Sequence, residues 1–101
     1  MPIKDVRVLR AAVADIENAS AFYEERQPDS GAIFWDSLLA DLDLLMVYGG
    51  IHAKKSGFHR MLAKRFPYAI YYRVKDDIAY VAAVLPMRRD PTWIKQQLET
   101  R

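Results

Sequence analysis

Two arginines in succession, followed by an acid and a proline at Arg88-Arg89-Asp90-Pro91, are the residues of this sequence best suited to holding an anion. A guanidinium presents a planar fork of donors, so two of them at a strand end can grip a phosphate or carboxylate in fixed geometry. The same run also has a structural explanation, in which Asp90 pairs with an arginine and fixes a chain reversal. Further cations lie upstream at Lys54, Lys55, Arg60, Lys64, Arg65 and Arg73, with His52 and His59 nearby. Alternation along a strand places Arg60 and Lys64 on one face, and His59 and Arg65 on the other, so they cannot all serve one site. On a solvent face Arg60 and Lys64 extend the arginine patch; otherwise they are edge charges that discourage aggregation. His52 and His59 have ordinary pKa values near neutrality and are therefore candidate acids or bases. With no motif around them, the plainer reading of each is a hydrogen-bonded or surface histidine. Tyr68, Tyr71, Tyr72 and Tyr80 can stack on bases, although packing is the more ordinary task of aromatic strand residues. There is no Gly-rich phosphate loop, no cluster at metal-ligand spacing and no Gly-x-Ser-x-Gly elbow. No metal and no cofactor is expected.

The elements that must position these groups follow from periodicity. Ile3–Leu9 alternates as a strand, with Val6 and Val8 on one face. From Ala12 the period becomes helical, and Ala12, Ile16, Ala19 and Tyr23 line one side of a helix over 12–26. Gln27-Pro28-Asp29-Ser30 breaks it, Asp or Ser being able to cap a second helix that runs from about Ser30 to about Tyr48. That helix has a wide apolar face, Phe34, Leu38, Leu42 and Leu45 beside Trp35, Leu39 and Met46, and ends at Gly49-Gly50. After a loop over 51–57, the runs Phe58–Lys64, Tyr68–Val74 and Ile78–Leu85 predict an antiparallel meander. The last run is apolar on both faces and reads as a central strand ended by Pro86. Pro91 opens a short helix carrying Trp93, Ile94 and Leu98. The predicted class is α+β in the order β-α-α-β-β-β-α, two antiparallel helices on a small antiparallel sheet.

Composition sets the bounds. The chain has 101 residues, 51% of them hydrophobic and 28% charged, which is enough for one core and predicts a single domain over residues 1–101. No apolar run is long enough to cross a membrane, no secretory signal opens the chain, and cysteine is absent, so cytoplasmic residence is expected. The formal charge of +2 hides an asymmetry: residues 1–50 carry four bases and nine acids, residues 51–101 eleven bases and four acids. Such a distribution suits a surface that meets a polyanion, or two halves that attract each other and keep the chain soluble.

Ala12, Asp15-Ile16 and Tyr23, then Phe34 and Leu38, then Arg65-Phe66-Pro67-Tyr68-Ala69-Ile70-Tyr71-Tyr72, and finally Ala83-Val84-Leu85, Arg88-Arg89-Asp90-Pro91 and Trp93 follow a common pattern. Over nearly its whole length the chain resembles the RelE/ParE superfamily of type II toxins. The resemblance implies a growth-inhibiting toxin of a plasmid-stabilisation type of system, neutralised by a cognate antitoxin. One branch is similar to metal-independent, ribosome-dependent mRNA endonucleases, and on that branch Arg60 and Arg88 would be catalytic. Trp93 stands about where that chemistry wants a tyrosine, and Pro86 where many relatives carry histidine. The other branch resembles ParE toxins, which poison DNA gyrase by binding and need no catalytic set; the sequence leans that way. A third implication is a member that binds its antitoxin without being toxic. Under the binding reading, Lys54, Lys55, Arg60, Lys64, Arg65, Arg88, Arg89 and Trp93 form the expected surface. An acidic antitoxin segment that folds on the toxin would be steered by the basic second half and anchored by apolar contacts.

Overall fold

The computed structural model describes residues 2–101. Chain order is β1 (Asp5–Val8), α1 (Arg10–Arg26), α2 (Ser30–Asp43), α3 (Leu45–Tyr48), β2 (Lys54–Lys55), β3 (Phe58–Leu62), β4 (Tyr68–Lys75), β5 (Ile78–Pro86) and α4 (Pro91–Glu99). Helical spacing puts Ala12, Ile16 and Ala19 of α1 and Phe34, Leu38 and Leu42 of α2 on facing stripes, all buried. The hairpin closes tightly at Gly31, where an added Cβ would lie 2.9 Å from the Ser20 carbonyl, the Ser20 hydroxyl and Glu24 Oε1. The predicted cap of α2 is supplied differently. Asp29 takes a left-handed conformation (φ 73) and its side chain caps nothing. Glu24 instead reaches across from α1 and accepts the amides of Asp29 and Gly31, each at 3.0 Å.

The second helix also stops short of Tyr48. At Leu44 the amide bonds back to Asp41, a tightened turn separates α2 from the single turn of α3, and Leu45 drops fully into the core. The termination is shared between the glycines. Gly49 lies so close to Ile3 that a Cβ would be 2.5 Å from Ile3 Cγ1, while Gly50 takes the positive φ of 97°.

The sheet order is β1-β5-β4-β3-β2. The meander β3-β4-β5 is antiparallel as expected, and Asp76-Asp77 turn the last hairpin with both φ values positive, the conformation of a two-residue turn that matches strand twist. Within this sheet β1 runs parallel to β5, and the two-residue β2, in the predicted loop, adds an outer edge. Tyr72 pairs with Val81 but Tyr71 with Ala83, so Ala82 is the extra residue of a bulge. The bulge re-phases β5. Ala79, Val81 and Val84 join the core under α1 and α2, whereas Ala82, Ala83 and Leu85 join a smaller core with Ile94 and Leu98 of α4.

β1 ends at Val8, opposite Val81, and leaves the rest of β5 without a strand on that side. Side chains take the missing strand's place: Asp15 Oδ2 accepts the Val84 amide at 3.0 Å and Arg101 Nη1 donates to the Ala82 carbonyl at 3.0 Å. The two are joined to each other at 2.7 Å, which ties the end of the chain to α1.

Candidate functional site

The re-phased end of β5, the outer side of α1 and the start of α4 enclose a groove of about 630 Å³. Its floor is apolar, with Phe22, Pro67, Leu85, Pro86 and Trp93 among the lining residues, and Arg88 and Arg89 stand over it. The three residues singled out on this run, Arg88, Arg89 and Trp93, therefore do share one place. Asp90 is not their ion-pair partner: it caps α4 by accepting the Thr92 amide at 2.8 Å, with Pro91 in the first turn. Among the described residues the salt bridges are Arg7–Asp5 and Arg101–Asp15, so neither Arg88 nor Arg89 is neutralised by a carboxylate. Arg89 Cζ lies 3.8 Å from the centroid of the Trp93 ring, a cation–π contact that joins the arginine to the indole.

At the end of α1, Tyr23 lines the groove and Arg26, outside its lining, acts on Tyr23 through its charge. Arg26 sits 3.5 Å over the Phe22 ring while Nη1 donates to the Phe22 carbonyl at 2.9 Å. Tyr23 feels both Arg88 and Arg26, which favour its phenolate, yet burial outweighs them and pushes its pKa above the ordinary value. Tyr68, also in the groove, is pushed up by burial and by Tyr23. Neither phenol gives up its proton readily near neutral pH. Asp15, the carboxylate of the groove, is engaged by Arg101 and by the Val84 amide. Sequence reading left out Arg26 and Tyr23; the Tyr-x-x-Arg spacing at the end of an amphipathic helix was the one available signal.

The other candidate residues lie elsewhere. Arg60 is on β3, half-buried, with Nε donating to Tyr71 Oη at 3.3 Å, on the sheet face where Arg73 covers the Phe58 ring at 4.0 Å. Lys54 and Lys55 form the exposed edge strand, opposite His59 and Phe58. β3 ends at Leu62, so Lys64 and Arg65 fall in the β3–β4 connection and do not continue its alternation; the Lys64 amide donates to Asp41 Oδ2 at 3.3 Å. Lys64 lines a second cleft of about 450 Å³ with Asp41, Leu44, Tyr48, Ile51, His52, Met61 and Leu62, none of which lines the first groove.

His52 and His59 are built into the support of that second region. Tyr72 Oη accepts the Gly50 amide at 2.9 Å and donates to His52 Nδ1, whose ring burial, reinforced by nearby His59, holds below its ordinary pKa. His59 stacks on Tyr72, ring centroids 5.1 Å apart, and its Nδ1–H donates to the His52 carbonyl at 2.6 Å. Both imidazoles are hydrogen-bonded in this way, and Tyr68, Tyr71 and Tyr72 are buried as packing residues.

The fold is that of a small α+β protein: a helical hairpin on a sheet, with an apolar groove lined in part by Arg88 and Arg89. Residues 6–91 match the family model of the ParE toxin of the type II toxin–antitoxin system parDE, and the chain belongs to that family. A solved structure described as the chromosomal ParDE TA system from P. aeruginosa has a chain with the same fold, at a TM-score of 0.75 and 15% identity, covering 83% of this chain and 96% of that one. No protein of curated function matches the sequence. The family match ends at Pro91, so Trp93 and most of α4 lie beyond it.

Proposed function

We propose that this toxin of a ParDE-type system acts in the cytoplasm by binding and inhibiting DNA gyrase, with no catalytic step of its own, and that a cognate antitoxin neutralises it. The observation that carries the reading is the chemistry of the groove. Arg88 and Arg89, with Arg26 nearby, offer fixed cations, whereas the phenols beside them are held protonated and the carboxylate is already engaged. Attack of a ribose hydroxyl on a phosphate needs a group that takes the hydroxyl proton, and cations alone supply only charge stabilisation. Arg60, which the nuclease alternative also requires, does not line the groove that holds Arg88. A cationic, apolar surface of this kind suits recognition of a macromolecule.

The test is a supercoiling assay with purified gyrase and ATP. Inhibition or trapped DNA breaks at stoichiometric toxin, reduced at least about tenfold by Arg89→Ala with unchanged Tm, is the expected result. Full gyrase activity at saturating toxin, together with mRNA cleavage on translating ribosomes that Arg88→Ala abolishes, would move the protein to the nuclease branch.

A further inference from the structure

Among the described residues Asp41 is the charged residue buried most completely, at 3% exposure. A carboxylate in such a place ordinarily brings a cation with it, because burial without a partner is costly. No ammonium or guanidinium of the described residues stands within ion-pair distance of it. Its Oδ2 accepts the Lys64 amide at 3.3 Å, a long bond, and Oδ1 accepts none. Every fully buried side-chain oxygen and nitrogen among the described residues has a partner, so Oδ1 is not sealed in the core and opens on the second cleft, which Asp41 lines.

That cleft sorts its chemistry by depth. Asp41 is the buried group, Leu44, Ile51, Met61 and Leu62 supply apolar wall, and Lys64 is the exposed cation of the lining. His52 adds no competing charge: its Nδ1 is taken by Tyr72 Oη, and burial favours its neutral ring. The volume of about 450 Å³ falls within the roughly 300–1,000 Å³ of small-molecule sites. We infer that the cleft binds a small zwitterion, a free α-amino acid with an aliphatic side chain, its ammonium on Asp41, its carboxylate toward Lys64 and its side chain against the apolar wall. A simple organic cation would satisfy Asp41 and meet the Lys64 ammonium unpaired, and an anion would satisfy Lys64 and face Asp41; the zwitterion complements both. Its ammonium supplies the partner that the buried carboxylate lacks, which offsets the desolvation that raises the Asp41 pKa. The cleft shares no lining residue with the arginine groove, so the inference stands apart from the gyrase reading.

The experiment uses the full chain with L-leucine as the probe, followed by Tm and by the NMR shifts of the Met61 and Leu62 methyl groups. L-Leucine is expected to raise Tm progressively with its concentration and to move those methyls while Leu85, in the arginine groove, stays in place. Asp41→Asn keeps an acceptor for the Lys64 amide and therefore the fold, yet it is expected to weaken leucine binding at least about tenfold, the loss of a charge-assisted hydrogen bond. A purely structural Asp41 would leave the affinity of that folded variant unchanged. Lys64→Met should weaken binding roughly threefold, as an exposed ion pair does. Isopentylamine, without the carboxylate, and isocaproate, without the ammonium, should each bind more weakly than leucine. Leucine that moves neither Tm nor the methyls up to its solubility limit overturns the inference, as does equal affinity for Asp41→Asn. Tighter binding by Lys64→Met, or an amine or acid that matches leucine, would likewise refute the zwitterion.

Discussion

Asp41 is 3% exposed, and its burial pushes the carboxyl pKa above the usual range; the amide and ammonium of Lys64 offset only part of that. A carboxyl whose folded pKa is raised binds its proton more tightly in the folded state, so its contribution to stability falls as pH rises from the unfolded pKa through the folded one. At neutral pH the charge is therefore a cost. Asp41→Asn keeps an oxygen for the Lys64 amide and removes the charge, so it should raise Tm by about 4 °C at pH 7, and the gain should shrink on acidification toward pH 3.5, followed by thermal melts. His52 works in the opposite direction. Its pKa is lowered, so the folded state favours neutral imidazole; that stability is complete above the unfolded value of about 6.5 and is lost as pH falls through it. His52→Gln should flatten the decline of Tm between pH 7.5 and 5.5 relative to wild type, and equal slopes would refute a part for His52 in that decline.

Among the elements, α4 is held by Ile94 and Leu98 in the smaller core and, just beyond its end, by one polar join. The Asp15–Arg101 pair is largely buried, with side chains 14% and 11% exposed, and it also satisfies the Val84 amide and the Ala82 carbonyl on the open side of β5. Removing one member leaves the other charge and a backbone group without a partner, so Asp15→Ala should cost about 3 kcal/mol. Asp15→Asn, which retains the acceptor for Val84, should cost less. Hydrogen exchange should place the loosening at β5 beyond Val81 and along α4, and protection unchanged there would refute it. This join also marks where sequence reading reaches its limit. α1, the meander and the Pro91 start of α4 were legible because their signals repeat within one or two turns of chain. The bulge at Ala82, the break at Leu44 and the Glu24 cap depend on contacts with distant elements, and a run such as Ile78–Leu85, apolar on both faces, carries no phase to reveal a slip. The candidate site divided in the same way. Arg88, Arg89 and Trp93 were legible as a local motif, whereas Tyr23 joins them only because α1 packs on β5.

At the scale of the molecule, the Cα radius of gyration of 13.1 Å is that of one compact body, so the charge asymmetry of the sequence becomes a separation across a single surface. Acids gather on the helical hairpin and bases along the sheet edge and at the start of α4. Of the two salt bridges among the described residues, Arg101–Asp15 alone joins the two halves, so attraction between halves consumes little of the positive charge. What remains is free to steer an anionic partner. Steering acts on encounter, and salt at 0.1 M screens it beyond about 10 Å, whereas apolar anchors govern how long a complex lasts. With gyrase as the proposed target, the association rate should fall roughly tenfold between 50 and 300 mM salt, with little change in dissociation, as read by stopped-flow fluorescence. Arg88→Ala/Arg89→Ala should flatten that salt dependence. Trp93→Ala should leave it intact and shorten the lifetime of the complex, because the indole contributes buried surface and a support for Arg89 without carrying charge. If both variants changed the salt slope equally, stack and charge would act as one unit, and the division between steering at the rim and holding at the floor would be wrong.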